Sequence, residues 1–234
     1  MSAARHRHHF CVLAALLMGC LAAAAGADAP PRAPLVADDF ARFDTSRWAV
    51  EAEDGAATVY AKDHALYLDT ARGLTVWLRE KLAGHYEVTF TRTVLAERQE
   101  HDRLSDLNLF WQASLPDGGA QGRFARSGKF EDYDGLRLWY AGIGGNGNTT
   151  TRFRYYDGSG ARTLLTEYLA PPYLLVANHA YRIRLVVDGA GSALYVDGVR
   201  FFQAPAAFVE GGYFGLRTTK SRQRISDFSI QRLP

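Results

Sequence analysis

Between His101 and Arg154 the chain concentrates side chains that can grip a polyhydroxylated ligand: HDRLSDLNLFW, then GKFEDYDGLRLWYAGIGGNGNTTTRFRYYDG. Arg, Asp, Asn, Tyr and Trp recur there in alternation, and in a strand alternate side chains gather on one face. Asp106 and Asn108 share one such face, Arg137 and Trp139 a second, and Arg152, Arg154 and Tyr156 a third. Carboxylates and amides exchange hydrogen bonds with hydroxyl groups. A guanidinium fork matches a carboxylate, and an indole face takes a cation or a C–H surface. Such a set suits sugar recognition. The competing reading is a solvated sheet on which arginine stems cover aromatic rings, with Asp102–Arg103 an ion pair closing a loop and Asp106 capping a turn.

Two kinds of bond cleavage make different demands on these residues. Glycoside hydrolysis needs two carboxylates roughly 5–10 Å apart. Within Glu131-Asp132-Tyr133-Asp134, read as extended chain, only Asp132 with Asp134, or Glu131 with Tyr133, face the same way. Elimination from a uronate needs its carboxylate neutralised and its C5 proton removed. Tyr133 or Tyr140 is the expected base, with His101 a further candidate. Arg137, Arg152 and Asn146 are expected to hold the carboxylate. Asp106, Asn108, Trp139 and Arg154 complete the binding face. Arg217 and Lys220, in the cationic run RTTKSR, form a further subsite edge.

The elements that must position these residues read as strands. Alternation runs over 85–90, 106–112, 136–140, 150–156 and 181–187, with turn signals about every ten residues and no helical period. In YRIRLVVDGAGSALYVDGVRFF, Tyr181, Ile183, Leu185 and Val187 share one face and Arg182 and Arg184 the other. Asp188-Gly189 and Asp197-Gly198 are hairpin turns. On the first of two faces of residues 106–112, Leu107, Leu109 and Trp111 are expected in the core; Leu136, Leu138 and Tyr140 are expected there too, opposite Arg137 and Trp139. The GIGGNGN run at 142–148 precedes no helix, so it is not a phosphate cradle. Its glycines permit left-handed turns that hold Asn146 and Asn148.

The ends and composition bound the rest. Arg5 and Arg7, an apolar run from Phe10 to Ala25 and the small residues Ala25-Gly26-Ala27 read as an export signal over residues 1–27. That run is shorter than the roughly 20 apolar residues of a membrane span. Acylation at Cys20, in Leu17-Met18-Gly19-Cys20, is the alternative. Both expectations place the protein in the periplasm or outside the cell. Both cysteines, Cys11 and Cys20, fall in the signal, so the mature chain offers no disulfide, cysteine–zinc site or thiol nucleophile. Without Arg5 and Arg7 the 27 basic residues become 25, matching 25 acidic ones, which gives no electrostatic footprint for nucleic acid. His64, His85, His101 and His179 have no zinc spacing. No metal or cofactor is expected apart from a structural calcium, for which Asp38, Asp39 and Asp227 are the first candidates. Residues 28–36 read as a flexible lead, and 37–234 as one monomeric all-β sandwich domain of two antiparallel sheets.

The strings VEAED (50–54), GLTVWLREKL (73–82), DRLSDLNLFW (102–111), GGNGNTTTRFR (144–154) and RTTKSR (217–222) resemble the YesU-like bacterial secreted proteins. These belong to the concanavalin A-like lectin/glucanase superfamily. The resemblance implies a jelly roll that engages a poly- or oligosaccharide across its concave sheet. It also implies a role beside polysaccharide-degrading enzymes. The Glu-x-Asp-x-x-Glu strand of the hydrolases of this fold is absent, as are the Arg-x-Glu-x-Arg and Gln-Ile/Val-His strings of its alginate lyases. Lyase-type cleavage of a uronate-containing glycan is therefore expected ahead of hydrolysis. A non-catalytic, lectin-like binding module is the alternative.

Overall fold

A computed structural model describes residues 33–117, 124–204, 208 and 210–234. The expected export signal, both cysteines and the start of the lead lie outside the described residues. Thirteen strands follow in order: β1 (Val36–Asp38), β2 (Trp48–Ala52), β3 (Thr58–Lys62), β4 (Ala65–Leu78) and β5 (Tyr86–Val94) come first. Then come β6 (Leu107–Ser114), β7 (Arg137–Gly144), β8 (Thr150–Asp157) and β9 (Arg162–Tyr168). The series ends with β10 (Ala180–Asp188), β11 (Gly191–Val196), β12 (Val199–Ala204) and β13 (Tyr213–Arg232). The five stretches read as strands are strands, and Asp188 and Asp197 sit at hairpin connections. The pairing begins slightly ahead of Ala37, because Leu35 N–H donates to the Ile230 carbonyl (2.8 Å) and Val36 pairs with Ile230.

All pairs are antiparallel, and the strands form a jelly-roll sandwich. The front sheet runs β9-β8-β7-β6-β13-β4-β2, and the back sheet β12-β11-β10-β5-β13-β4-β3. Two long strands belong to both. The first part of β13 pairs with β6 and its last part with β5, while β4 follows it alongside. A register shift between Thr219 and Ser221, where Lys220 has φ 48°, marks the passage from one sheet to the other. An extra residue in a ladder bends the strand and increases its twist.

The inner faces meet in one aromatic-rich core. Leu107, Leu109 and Trp111 of β6 pack there with Trp139 and Ile143 of β7 and Phe153 of β8. Val88, Ile183, Leu185, Leu194 and Phe202 face them from the back sheet. Trp111 stacks on Phe153 (5.7 Å between centroids) and donates Nε1–H to Ser192 Oγ across the sandwich (2.9 Å). A charge also lies between the sheets. Arg92 is wholly buried, and burial pushes its pKa down to about 9. Its guanidinium donates to Gln223 Oε1 (2.6 Å) and to the carbonyls of Asn108 (2.9 Å) and Arg217 (2.8 Å). Gln223 Nε2 in turn donates to the carbonyls of Ser105 (3.3 Å) and Asp106 (3.2 Å). The core thus fixes the backbone that carries Asp106, Asn108 and Arg217.

A second cluster covers the outer face of the front sheet. Trp77, Phe110, Leu138, Tyr140 and Tyr156 project outward, and the segment 124–136 lies over them with Phe124, Phe130 and Tyr133. Residues Phe130–Tyr133 form a 3-10 turn, so the acids of Glu131-Asp132-Tyr133-Asp134 do not alternate as in a strand. They hold the segment instead. Asp134 takes a bidentate bond from Arg162 (2.6 and 2.7 Å), and Asp132 accepts from Ser127 N–H and Oγ–H (2.7 and 2.6 Å).

Candidate functional site

The segment 124–136 covers one part of the outer front face and leaves a pocket of about 280 Å³ beside Phe130. Asp106 and Asn108 enter it from the start of β6, Tyr140 and Gly142 from β7, and Arg152 and Arg154 from β8. The turn after β7 supplies Gly145 and Asn146; Arg103 and Thr219 close the remaining side. Five expected binding residues therefore converge: Asp106, Asn108, Asn146, Arg152 and Arg154.

Local geometry explains how each arrives. Asp106 has a left-handed backbone (φ 62°), a conformation that Asp and Asn adopt more readily than other side-chain-bearing residues. It is pinned by its own N–H to the Gly144 carbonyl (3.3 Å) and by Gln223. In the 145–148 turn Asn146 (φ 53°), Gly147 (φ 68°) and Asn148 (φ 65°) are all left-handed. Asn148 is the anchor, bonding Leu175 N–H (2.7 Å) and carbonyl (2.8 Å), which leaves Asn146 at the pocket. Gly142 is required by the tyrosine beside it. A Cβ there would lie 2.1 Å from the Tyr140 hydroxyl oxygen. Gly142→Ala should therefore displace the Tyr140 ring and overpack the site, a cost of about 1–3 kcal/mol. A lowered thermal midpoint together with loss of ligand affinity would register it, and an unchanged midpoint would contradict the close approach.

The pocket is electropositive and incompletely satisfied. Arg103 pairs with Asp106 (3.1 Å) and Arg152 with Glu167 (2.5 Å), but Arg154 has no carboxylate partner among the described residues. Asn108 is 3% exposed, and its Oδ1 has no hydrogen-bond partner. A buried acceptor left unpaired costs about 1–3 kcal/mol, so a donor such as a hydroxyl would be favoured beside it. Burial raises the Asp106 carboxyl above its ordinary range, with Arg103, Ser105 and Arg217 opposing. Asp106 is the one carboxylate among the described residues lining this pocket.

Other expected residues lie elsewhere. Trp139 is on the inner face, stacked with Phe153 (5.6 Å) and Phe208 (5.3 Å). Arg137, of the same parity, pairs with Glu210 (3.0 Å) and lies over Phe208 (4.5 Å). The expected parity of β7 is thus reversed: Leu136, Leu138 and Tyr140 bury outward because the 124–136 segment makes a second apolar surface for them. Arg217 is 1% exposed and reaches Thr75 Oγ1 and the Gly128 carbonyl (both 2.9 Å), so it secures the covering segment rather than lining the pocket. Lys220 is exposed at the bulge, next to Thr219 of the pocket wall. His101 bonds Asp69 Oδ1 (2.6 Å) away from the pocket. Tyr133, part of the covering segment, is wholly buried between that segment and the sheet. Burial pushes the phenols of Tyr133 and Tyr140 well above their usual range, so neither is ionised as a base near neutrality. Tyr140 remains at the pocket as a hydroxyl.

The aspartates considered for calcium bond the protein. Asp38 accepts from Phe40 N–H (2.9 Å) and Trp48 Nε1–H (2.8 Å), Asp39 from Ala41 N–H (3.1 Å), and Asp227 from Ser226 Oγ–H (2.9 Å). Among the described residues no three His, Cys, Asp or Glu side chains are grouped to hold a metal. No described helix is long and apolar enough to cross a membrane.

Sequence reading missed Arg103, Thr150, Thr219, Gly142 and Phe130 as pocket residues. Arg103 had a signal, since it lies three residues before Asp106. Asp102, the neighbour expected to pair with it, is taken by Arg222 (2.8 Å).

A family model described as "Domain of unknown function (DUF6250)" matches residues 68–228. No curated protein matches the chain. Among solved structures, a Bacillus subtilis protein of unknown function with a galectin-like fold superposes with a TM-score of 0.67 at 17% identity, covering 86% of this chain and 96% of that one. The carbohydrate-binding module CBM66 from Bacillus subtilis gives 0.53 at 11% identity, with 79% and 95% covered. A prokaryotic β-1,3-1,4-glucanase (lichenase) derived from a mouse hindgut metagenome gives 0.54 at 14%, with 85% and 99% covered. At these identities the likeness shows the fold.

Proposed function

We propose that this protein, which belongs to the family described as Domain of unknown function (DUF6250), is an exported carbohydrate-active domain that takes an acidic sugar in the Arg154 pocket. The carrying observation is the meeting of an arginine without a carboxylate partner and a buried, unpaired amide oxygen in one cup. A sugar carboxylate would answer the first and a sugar hydroxyl the second. The volume suits a small number of sugar residues, being near the lower end of small-molecule sites. The fold is shared with structures named as a carbohydrate-binding module and a glucanase, and the resemblance to YesU-like proteins points the same way.

Of the cleavage chemistries, elimination from a uronate-containing glycan suits the pocket better than hydrolysis. The cup holds three arginines and a single carboxylate, whereas hydrolysis usually needs two. The second reading is binding alone, favoured by the buried state of the tyrosines expected as bases. Incubating the protein with polygalacturonate, rhamnogalacturonan, alginate and a neutral β-glucan tests both. Saturable binding to a uronate polymer, with none to the glucan, is expected. Ultraviolet absorbance of an unsaturated product separates lyase from binding module. Absence of binding across the panel contradicts the sugar reading.

A further inference from the structure

Resting on that reading of the pocket, we infer that Asp106 is the residue that moves the proton in a β-elimination on the bound uronate. Tyr133 and His101 lie away from the cup, and Tyr140, though at it, is kept protonated by burial, whereas Asp106 is both in the cup and held there. Its carboxylate shares the pocket with Arg103 at 3.1 Å and approaches the turn that carries Asn146; a Cβ on Gly145 would lie 3.9 Å from Asp106 Oδ1. Its backbone is clamped from both sides, by Gly144 and by Gln223. A group so fixed loses little freedom when the substrate arrives, which is where positioning lowers a barrier.

The step balances with these parts. Arg154, with the Asn146 amide, lies at the same cup to receive the sugar carboxylate, and neutralising it acidifies the C5–H bond. Asp106 takes that proton. The C5–H electron pair becomes the C4–C5 double bond, the C4–O bond breaks, and the departing oxygen leaves with its bonding pair. The proton on Asp106 then passes to that oxygen, which restores the carboxylate and completes a syn elimination, the course open to a uronate whose C5–H and C4–O lie on one ring face, as in mannuronate or glucuronate. No oxidant, reductant or metal is consumed.

The surroundings of Asp106 also fit a proton acceptor. Desolvation strengthens the carboxylate as a base. The charged and titratable groups facing it are Arg103 from the preceding loop, Tyr140 from β7, Arg152 and Arg154 from β8, and Arg217 from β13. Since its pKa is raised, the active carboxylate form should accumulate only above the ordinary aspartate range. The rate should therefore rise with pH through that shifted titration, and it should not fall until a second group titrates.

The test uses Asp106→Asn, which keeps the shape and tolerates the left-handed backbone, and Asp106→Glu as a partial rescue. Each is measured for oligomannuronate, oligoglucuronan and oligohyaluronan binding by calorimetry and for unsaturated product by absorbance. The expected result is product from the unmodified protein, a loss of about 100-fold or more in rate for Asp106→Asn, binding within about threefold of unmodified, and some rate returned by Asp106→Glu. Three results overturn the inference: a full rate in Asp106→Asn, parallel loss of rate and binding, or binding by the unmodified protein without product on any of the three. The last leaves the binding reading standing. Absence of binding by the unmodified protein removes the reading on which the inference rests.

Discussion

Arg92→Met should lower stability by about 3 kcal/mol, the largest single effect on the fold. Arg92 is wholly buried, and its three acceptors are Gln223 Oε1 and the backbone carbonyls of Asn108 and Arg217. Methionine fills most of the space but donates nothing, and each stranded acceptor costs about 1–3 kcal/mol. Relief from burying a charge offsets part of this. Replacing an ion pair with apolar residues can be neutral because both partners go; here two of the partners are backbone and stay. For a domain near 200 residues the loss corresponds to a thermal midpoint lower by about 6–12 °C. Sugar affinity should fall too, since the same network holds the backbone of Asp106 and Asn108. An unchanged midpoint would mean that the guanidinium is not what joins the sheets there.

Arg154→Ala should weaken binding of a uronate oligomer by about 10- to 100-fold, the size of a lost charge-assisted hydrogen bond. Its thermal midpoint should stay close to that of the unmodified protein, because Arg154 has no carboxylate partner among the described residues and substitutions away from such features stay within about 0.5 kcal/mol. Arg152 provides the contrast. It is already tied to Glu167, so Arg152→Ala should cost less affinity than Arg154→Ala. Equal losses would assign the sugar carboxylate to both arginines.

The sandwich was legible because most of its strands are buried on one face only. Tyr181, Ile183, Leu185 and Val187 point inward and Arg182 and Arg184 outward, as their alternation requires. On β6 the reading of Leu107, Leu109 and Trp111 as core, with Asn108 opposite, also holds. It failed on β7, whose residues from Leu138 to Gly144 are all buried. When both faces of a strand are covered, alternation of apolar and polar residues no longer marks the inside. Leu138 and Tyr140 then look like core beside Trp139, yet they belong to a separate cluster beneath the 124–136 segment. That segment could not be foreseen, because its acidic run looked like a strand of candidate catalytic groups rather than a 3-10 turn. Arg217 was misassigned for the same reason: its partner, the Gly128 carbonyl, lies in that covering segment. The pocket residues that were found, Asp106, Asn108, Asn146, Arg152 and Arg154, come from strand starts and a glycine-rich turn, where polar residues have a local explanation.

The central claim is that the cup recognises the charge of a sugar as well as its hydroxyls. A calorimetric titration of the unmodified protein with one uronate oligomer and with the same oligomer after reduction of its carboxylates to alcohols tests it most directly. The two ligands differ in little but charge. The arginine cup requires saturable binding of the acid and at least about tenfold weaker binding of the reduced form. Equal affinity for both would show that Arg154 does not meet a carboxylate, and the acidic-sugar account would be wrong.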